Sequence, residues 1–96
     1  MRPWICGYVV STATSGQLAN SFGLYQVNIT KGGTGIYTLT FTSTVPTAYY
    51  STFTTLYNAI GFIQISVQLT TYLTVKTYNI SGVAADMGFF VQVIAQ

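Results

Sequence analysis

The stretch Phe62-Ile63-Gln64-Ile65-Ser66-Val67-Gln68-Leu69 decides the fold. Ile63, Ile65, Val67 and Leu69 fall on one side of an extended chain. Phe62, Gln64, Ser66 and Gln68 fall on the other. Successive side chains leave a strand on opposite faces, so this period of two reads as a half-buried β-strand. Residues 89–96 repeat the device: Phe89, Val91, Val93 and Ala95 share one face, and Phe90, Gln92, Ile94 and Gln96 the other.

Outward from the first stretch, Thr70 and Thr71 mark a reversal into a strand over 72–79, and residues 58–61 a turn out of a strand over 49–57. Upstream, residues 24–30 and 36–42 flank Lys31-Gly32-Gly33-Thr34-Gly35. Glycine supplies the positive φ that a tight connection demands, so the arrangement is a β-hairpin. Pro46 cannot donate to a ladder and ends that unit. A first strand covers 4–10, 13–20 reads as a polar loop, and 80–88 as a loop into the last strand. Thr, Val and Ile make up 33 of the 96 residues and aromatic residues another 15, a composition that favours strands throughout. The expectation is a single all-β domain over 1–96, an antiparallel β-sandwich of about seven strands. Its core should hold Ile63, Ile65, Val67, Tyr37, Leu39, Phe41, Val91 and Val93.

Charge is nearly absent. Arg2, Lys31, Lys76 and Asp86 are the charged residues, 4% of the chain against about 25% in ordinary domains. Three basic residues make no footprint for nucleic acid, which takes several clustered Lys or Arg. A surface hydrated by Thr and amides alone invites association, so much of it is expected to be covered. No stretch approaches the roughly 20 apolar residues of a spanning helix, and residues 1–10 carry Pro3 and Gly7 where a secretion signal would be uninterrupted.

Chemistry has little to work with. His and Glu are missing, and Asp86 and Cys6 are single copies, so one chain offers no carboxylate pair, triad or metal cluster. No enzymatic activity and no cofactor are expected. Cys6 has no partner for a disulfide and reads as a small strand side chain. Residues 32–35 have the glycine density of a phosphate loop but lack its Lys-Ser/Thr pair and following helix. Asn28-Ile29-Thr30 and Asn79-Ile80-Ser81 match the glycosylation sequon by chance in a Thr-rich chain.

Aromatic residues carry the functional weight, because Tyr and Phe suit interfaces. If the strands over 62–69, 72–79 and 89–95 share a sheet, their second face holds Phe62, Gln64, Tyr72, Tyr78, Phe90 and Ile94, with only Lys76 charged. That face is the expected oligomer interface. Tyr49 and Tyr50, after a proline turn, are the candidate ligand contacts, most often simple packing at a strand start.

Residues 29–42, with Gly33-Thr34-Gly35-Ile36-Tyr37-Thr38-Leu39-Thr40-Phe41 at their centre, then Val45-Pro46 and Tyr50, resemble a module of tailed-phage tail fibres and small virion surface proteins. Arg2-Pro3-Trp4-Ile5 stands where that module has its first short strand. Val75-Lys76-Thr77, Asp86 and Val91-Gln92-Val93 follow in its order. Cys6, Gly7 and Thr47 depart from its pattern. The resemblance implies a jelly-roll-like sandwich, assembled as a homotrimer on a phage particle among other virion proteins. Because the sequence starts at Met1 and is short, it fits a capsid decoration protein or short fibre. The alternative is a receptor-binding fibre tip gripping a host-surface glycan or protein. An oligomeric β-pore is a third class, disfavoured because Gln64, Ser66, Gln68 and Gln92 break the apolar face that membrane insertion demands.

Overall fold

A computed structural model of the chain describes residues 3–10, 15–17, 19–23, 25–57 and 59–94. Among them lie nine strands and no helix: β1 Pro3–Val9, β2 Ser15–Gln17, β3 Ala19–Phe22, β4 Val27–Gly33, β5 Ile36–Phe41, β6 Ser51–Leu56, β7 Gly61–Gln68, β8 Tyr72–Asn79 and β9 Phe89–Ile94. Every ladder is antiparallel. Sheet A has the order β3-β1-β9-β6, and sheet B the order β2-β4-β5-β8-β7.

The two sheets share one core, an arrangement compatible with a sandwich. Ile5, Val9, Phe89, Val91 and Val93 enter it from sheet A, and Val27, Ile29, Tyr37, Leu39, Phe41, Leu73 and Val75 from sheet B. Strand alternation explains the set, since successive members on a strand are two residues apart, or four on β1, where the buried Gly7 lies between Ile5 and Val9. The Tyr37 and Phe89 rings meet edge to face at 5.3 Å and tie one sheet to the other. At the far end Trp4, Phe41 and Tyr50 pack together, with Trp4 5.5 Å and Phe41 5.8 Å from Tyr50.

The β4–β5 hairpin turns where its glycines lie. Gly35 has φ 69°, and a Cβ there would stand 2.5 Å from the Thr77 carbonyl oxygen. No other residue fits both demands. Thr77 fastens the hairpin from below: its N–H donates to Gly35 O at 2.8 Å, and its hydroxyl donates to Ala85 O.

Three sequence expectations are corrected. The segment 13–20 is not simply a loop, because β2 and the start of β3 fall in it. These short strands carry the chain from sheet B to sheet A, and their polar, glycine-containing sequence hides them from a period-two test. Of the positions read from the sequence, Arg2, Leu24, Asn58, Ala95 and Gln96 lie outside the described residues.

Second, the alternation of β7 breaks midway. Ile65 pairs with Val75, yet Val67 pairs with Thr74, so two steps on β7 match one on β8. Ser66 is the extra residue of a β-bulge, which reverses the facing of everything after it. Ile63 and Ile65 pack against the core as expected, half-buried. Val67 does not: it is 37% exposed, and Gln68 has turned inward in its place.

Third, β7 and β8 belong to sheet B while β9 belongs to sheet A. The expected single face across those three strands therefore does not exist. Alternation within each strand does not reveal which sheet the strand joins.

Gln68 has a definite role after the bulge. Its amide nitrogen donates to Ala48 O at 2.9 Å and Tyr50 O at 2.6 Å, and its amide oxygen accepts the Thr52 hydroxyl at 3.2 Å. The side chain thus bridges β7, at the edge of sheet B, to the start of β6, at the edge of sheet A.

Candidate functional site

The outer face of sheet A follows from the same alternation that builds the core. With Ile5, Gly7 and Val9 turned inward, Cys6 and Tyr8 point out from β1. Phe90, Gln92 and Ile94 point out from β9, and Ser51, Phe53 and Thr55 from β6. Register then places neighbours: Tyr8 opposite Phe90, Thr55 opposite Phe90, and Phe53 and Cys6 opposite Gln92. Tyr57 follows β6, and its N–H donates to Gly88 O at 2.9 Å, which holds its ring beside Phe90.

Tyr8, Tyr57 and Phe90 close into a triangle of rings. Centroids lie 5.3 Å apart for Tyr8–Tyr57, 5.2 Å for Tyr8–Phe90 and 5.5 Å for Tyr57–Phe90. The Tyr57 pairs are edge-to-face, the arrangement that ring quadrupoles favour. Gly88 makes room for it, since a Cβ there would stand 2.6 Å from the Tyr8 hydroxyl. Phe53, 57% exposed, and Val10 extend the apolar area. None of these outward residues is charged. An exposed aromatic patch without charge has the composition of an interface centre.

The expected interface residues are split between two opposite surfaces. Phe90 and Ile94 belong to this face. Phe62, Gln64, Tyr72 and Tyr78 lie on sheet B, where Phe62 is exposed and the Tyr78 hydroxyl donates to Gln64 Oε1 at 3.1 Å. Tyr8, Phe53 and Tyr57 were missed. The signal for two of them was legible, because Ser51, Phe53, Thr55 and Tyr57 alternate with Thr52, Thr54 and Leu56.

Of the candidate ligand contacts, Tyr50 is buried. It packs between Trp4 and Phe41 and its hydroxyl donates to Leu69 O at 2.7 Å. Burial pushes its phenol up to about 12, only partly offset by that bond. Tyr49 is 95% exposed, with its N–H donating to Thr47 Oγ1.

Charge chemistry concentrates at the other end of the core. The Lys31 ammonium pairs with Asp86, and Gly35 N–H donates to the second carboxylate oxygen at 2.7 Å. The Lys31 bond, and after it the Gly35 bond, hold the Asp86 carboxyl below its usual range. Lys31 also sits 5.9 Å above the Tyr37 ring. The Tyr37 phenol is pushed up to about 12, first by burial and then by the Asp86 charge. The group is a clasp that pins the loop after β8 onto the β4–β5 hairpin. Asp86 is held as the carboxylate and Tyr37 as the neutral phenol, which suits structure and not proton transfer.

Comparison with family models, with curated proteins and with solved structures finds no match for this chain.

Proposed function

We propose that the chain is a non-enzymatic structural module that works by assembly, as a decoration or short-fibre protein on the surface of a tailed-phage particle. The observation that carries the assembly role is the uncharged aromatic face of sheet A, with Phe53, Tyr57 and Phe90 presented to solvent and half-buried Tyr8 packed against the last two. Placing such side chains in water forgoes about 25 cal/mol for each Å² that a partner would cover. The particle assignment rests on the resemblance. The residues that carry it have structural places of their own: Gly33-Thr34-Gly35 at the hairpin end, Tyr37 and Phe41 in the core, and Asp86 clasping the hairpin.

Strand order supports the jelly-roll-like part of the reading. β9 lies between β1 and β6 in sheet A, and β8 lies between β5 and β7 in sheet B. Setting each of the last two strands between earlier ones is the nesting that Greek-key winding produces. The test is the composition of purified particles from the source, by quantitative mass spectrometry. Expected is the chain at a fixed copy number per particle. Its recovery only as free protein, with none in washed particles, would overturn the proposal.

A further inference from the structure

Sheet edges expose unpaired N–H and C=O groups, and proteins that work alone protect them with short strands, bulges, Pro or Lys. Among the described residues four strands lie at edges: β3 and β6 in sheet A, β2 and β7 in sheet B. β2 and β3 are only three and four residues long. β7 has the bulge at Ser66 and the Gln68 bridge. β6 is different. Its six residues, Ser51-Thr52-Phe53-Thr54-Thr55-Leu56, include no Pro or charge, and its ladder with β9 runs without a register shift.

The direction of its backbone groups follows from one bond. Tyr57 N–H donates to Gly88 O, and bonded pairs alternate along an antiparallel ladder. Thr55, Phe53 and Ser51 therefore bond to β9. Thr52, Thr54 and Leu56 turn their N–H and C=O groups to the open side. The Gln68 amide covers that side only as far as Tyr50 O and the Thr52 hydroxyl.

We propose that this open edge of β6 pairs antiparallel with β6 of a second copy about a twofold axis at Thr54, joining two four-stranded sheets into one. In that register Thr54 faces Thr54 of the second copy, and Thr52 faces Leu56, each pair exchanging both of its bonds. Threonine pairs across strands are favourable. Phe53 comes opposite Thr55 of the second copy, so the two Phe53 residues become diagonal neighbours, about 7–8 Å apart and within reach of aromatic side chains.

A second copy is the occupant that the charge pattern fits. Self-pairing sets each residue near its own kind, so any charge on β6 would meet a like charge. None is present there, nor among the described outward residues of sheet A. Such a contact is isologous and closes at two copies, whereas the resemblance implies three. The inference concerns the purified chain and does not rest on the particle assignment.

The test is light scattering on the purified chain from micromolar to several hundred micromolar, with amide exchange on the same samples. Expected is a mass twice 10.4 kDa, and slowing of exchange at Thr54 and Leu56 by tenfold or more that is lost on dilution. Thr54→Pro is expected to restore the single-chain mass while keeping the strand circular-dichroism signal. Proline is tolerated where an edge N–H faces outward. Should that variant fail to fold, the wild-type exchange result decides. A single-chain mass at every concentration would overturn the inference. So would a three-copy mass, or a dimer whose Thr54 and Leu56 amides exchange as freely as exposed ones.

Discussion

Replacing Gln68 by Leu while leaving Val67 alone, and then the reverse, tests the bulge that organises β7. Gln68→Leu keeps the bulk of the side chain and removes every hydrogen bond it makes. Those bonds are the two to Ala48 O and Tyr50 O and the one from the Thr52 hydroxyl. Each is worth about 0.5–1.5 kcal/mol net, and more where a carbonyl is left without a partner. Gln68 is half-buried, so water reaches part of the site and the expected loss is about 2–3 kcal/mol. In a domain of this size that lowers Tm by roughly 10–20 °C, at about 4–8 °C for each kcal/mol. Val67→Ala trims a side chain on the solvent side of the bulge and should cost about 0.5 kcal/mol or less. An unbulged β7 reverses both values, because Val67 then fills the core, where truncation costs about 2 kcal/mol or more. Thermal unfolding followed by circular dichroism reads both variants. A stable Gln68→Leu beside a Val67→Ala that melts about 10 °C early would refute the register and the bridging role together.

Gly35→Ala should destabilise by about 2–4 kcal/mol, since φ 69° is strained for alanine and the new Cβ would stand 2.5 Å from Thr77 O; chemical denaturation measures it, and a change under 1 kcal/mol would count against the tight hairpin docking. Tyr37 and Tyr50 are raised from 10.0 to about 12, so their folded state favours the neutral phenol. Their contribution is complete below pH 10 and is lost as pH rises through about 12, on the order of 3 kcal/mol for each; stability flat from pH 9 to 12 in a denaturant series would contradict it. Asp86 is lowered, so the clasp contributes above the ordinary carboxylate range and is lost as pH falls through the depressed value. Asp86→Asn should remove that acid dependence and, by taking away the charge that helps raise Tyr37, weaken the alkaline one; an unchanged acid limb would show that Asp86 does not set it.

Fold class was legible because alternation is a local property. β8 spans 72–79 as the sequence implied, and Tyr37, Leu39, Phe41, Val91 and Val93 are core residues as their phase required. Two non-local facts escaped. A bulge is one unpaired residue, and Ser66 looks like any polar residue on an alternating strand until Val67 and Thr74 are seen to pair. Sheet membership is the other: nothing in residues 89–94 says that their ladder partners are β1 and β6 and not β8. The candidate site suffered from that second fact. Its guiding idea, an uncharged aromatic face, describes Tyr8, Phe53, Tyr57 and Phe90, but the strands combined to build it came from two sheets. Tyr50 illustrates a third limit, since a Tyr-Tyr pair at a strand start sends one ring inward and one outward, and phase alone does not say which.

A chain with so little charge and one unprotected edge faces a hazard, because edge pairing without an end builds fibres. The geometry of β6 supplies an end. Its pairing about Thr54 is isologous, so each copy uses the same edge that its partner uses, and the joined sheet has no β6 edge left. What remains at the two ends of that sheet is β3, only four residues long. Sheet B is guarded at its edges by other means, with β2 three residues long and β7 bulged and bridged by Gln68. Closure at two copies would thus do for this protein what edge lysines do for others. Lys31 is engaged with Asp86 in the clasp, and Lys76 lies on β8, inside sheet B. Placing a lysine on the bare edge, as in Thr54→Lys, is then expected to give a soluble single chain and not a fibre, which separates an edge meant for pairing from one that merely aggregates. Filaments growing from the lysine variant, seen by electron microscopy, would show that some edge other than β6 drives association.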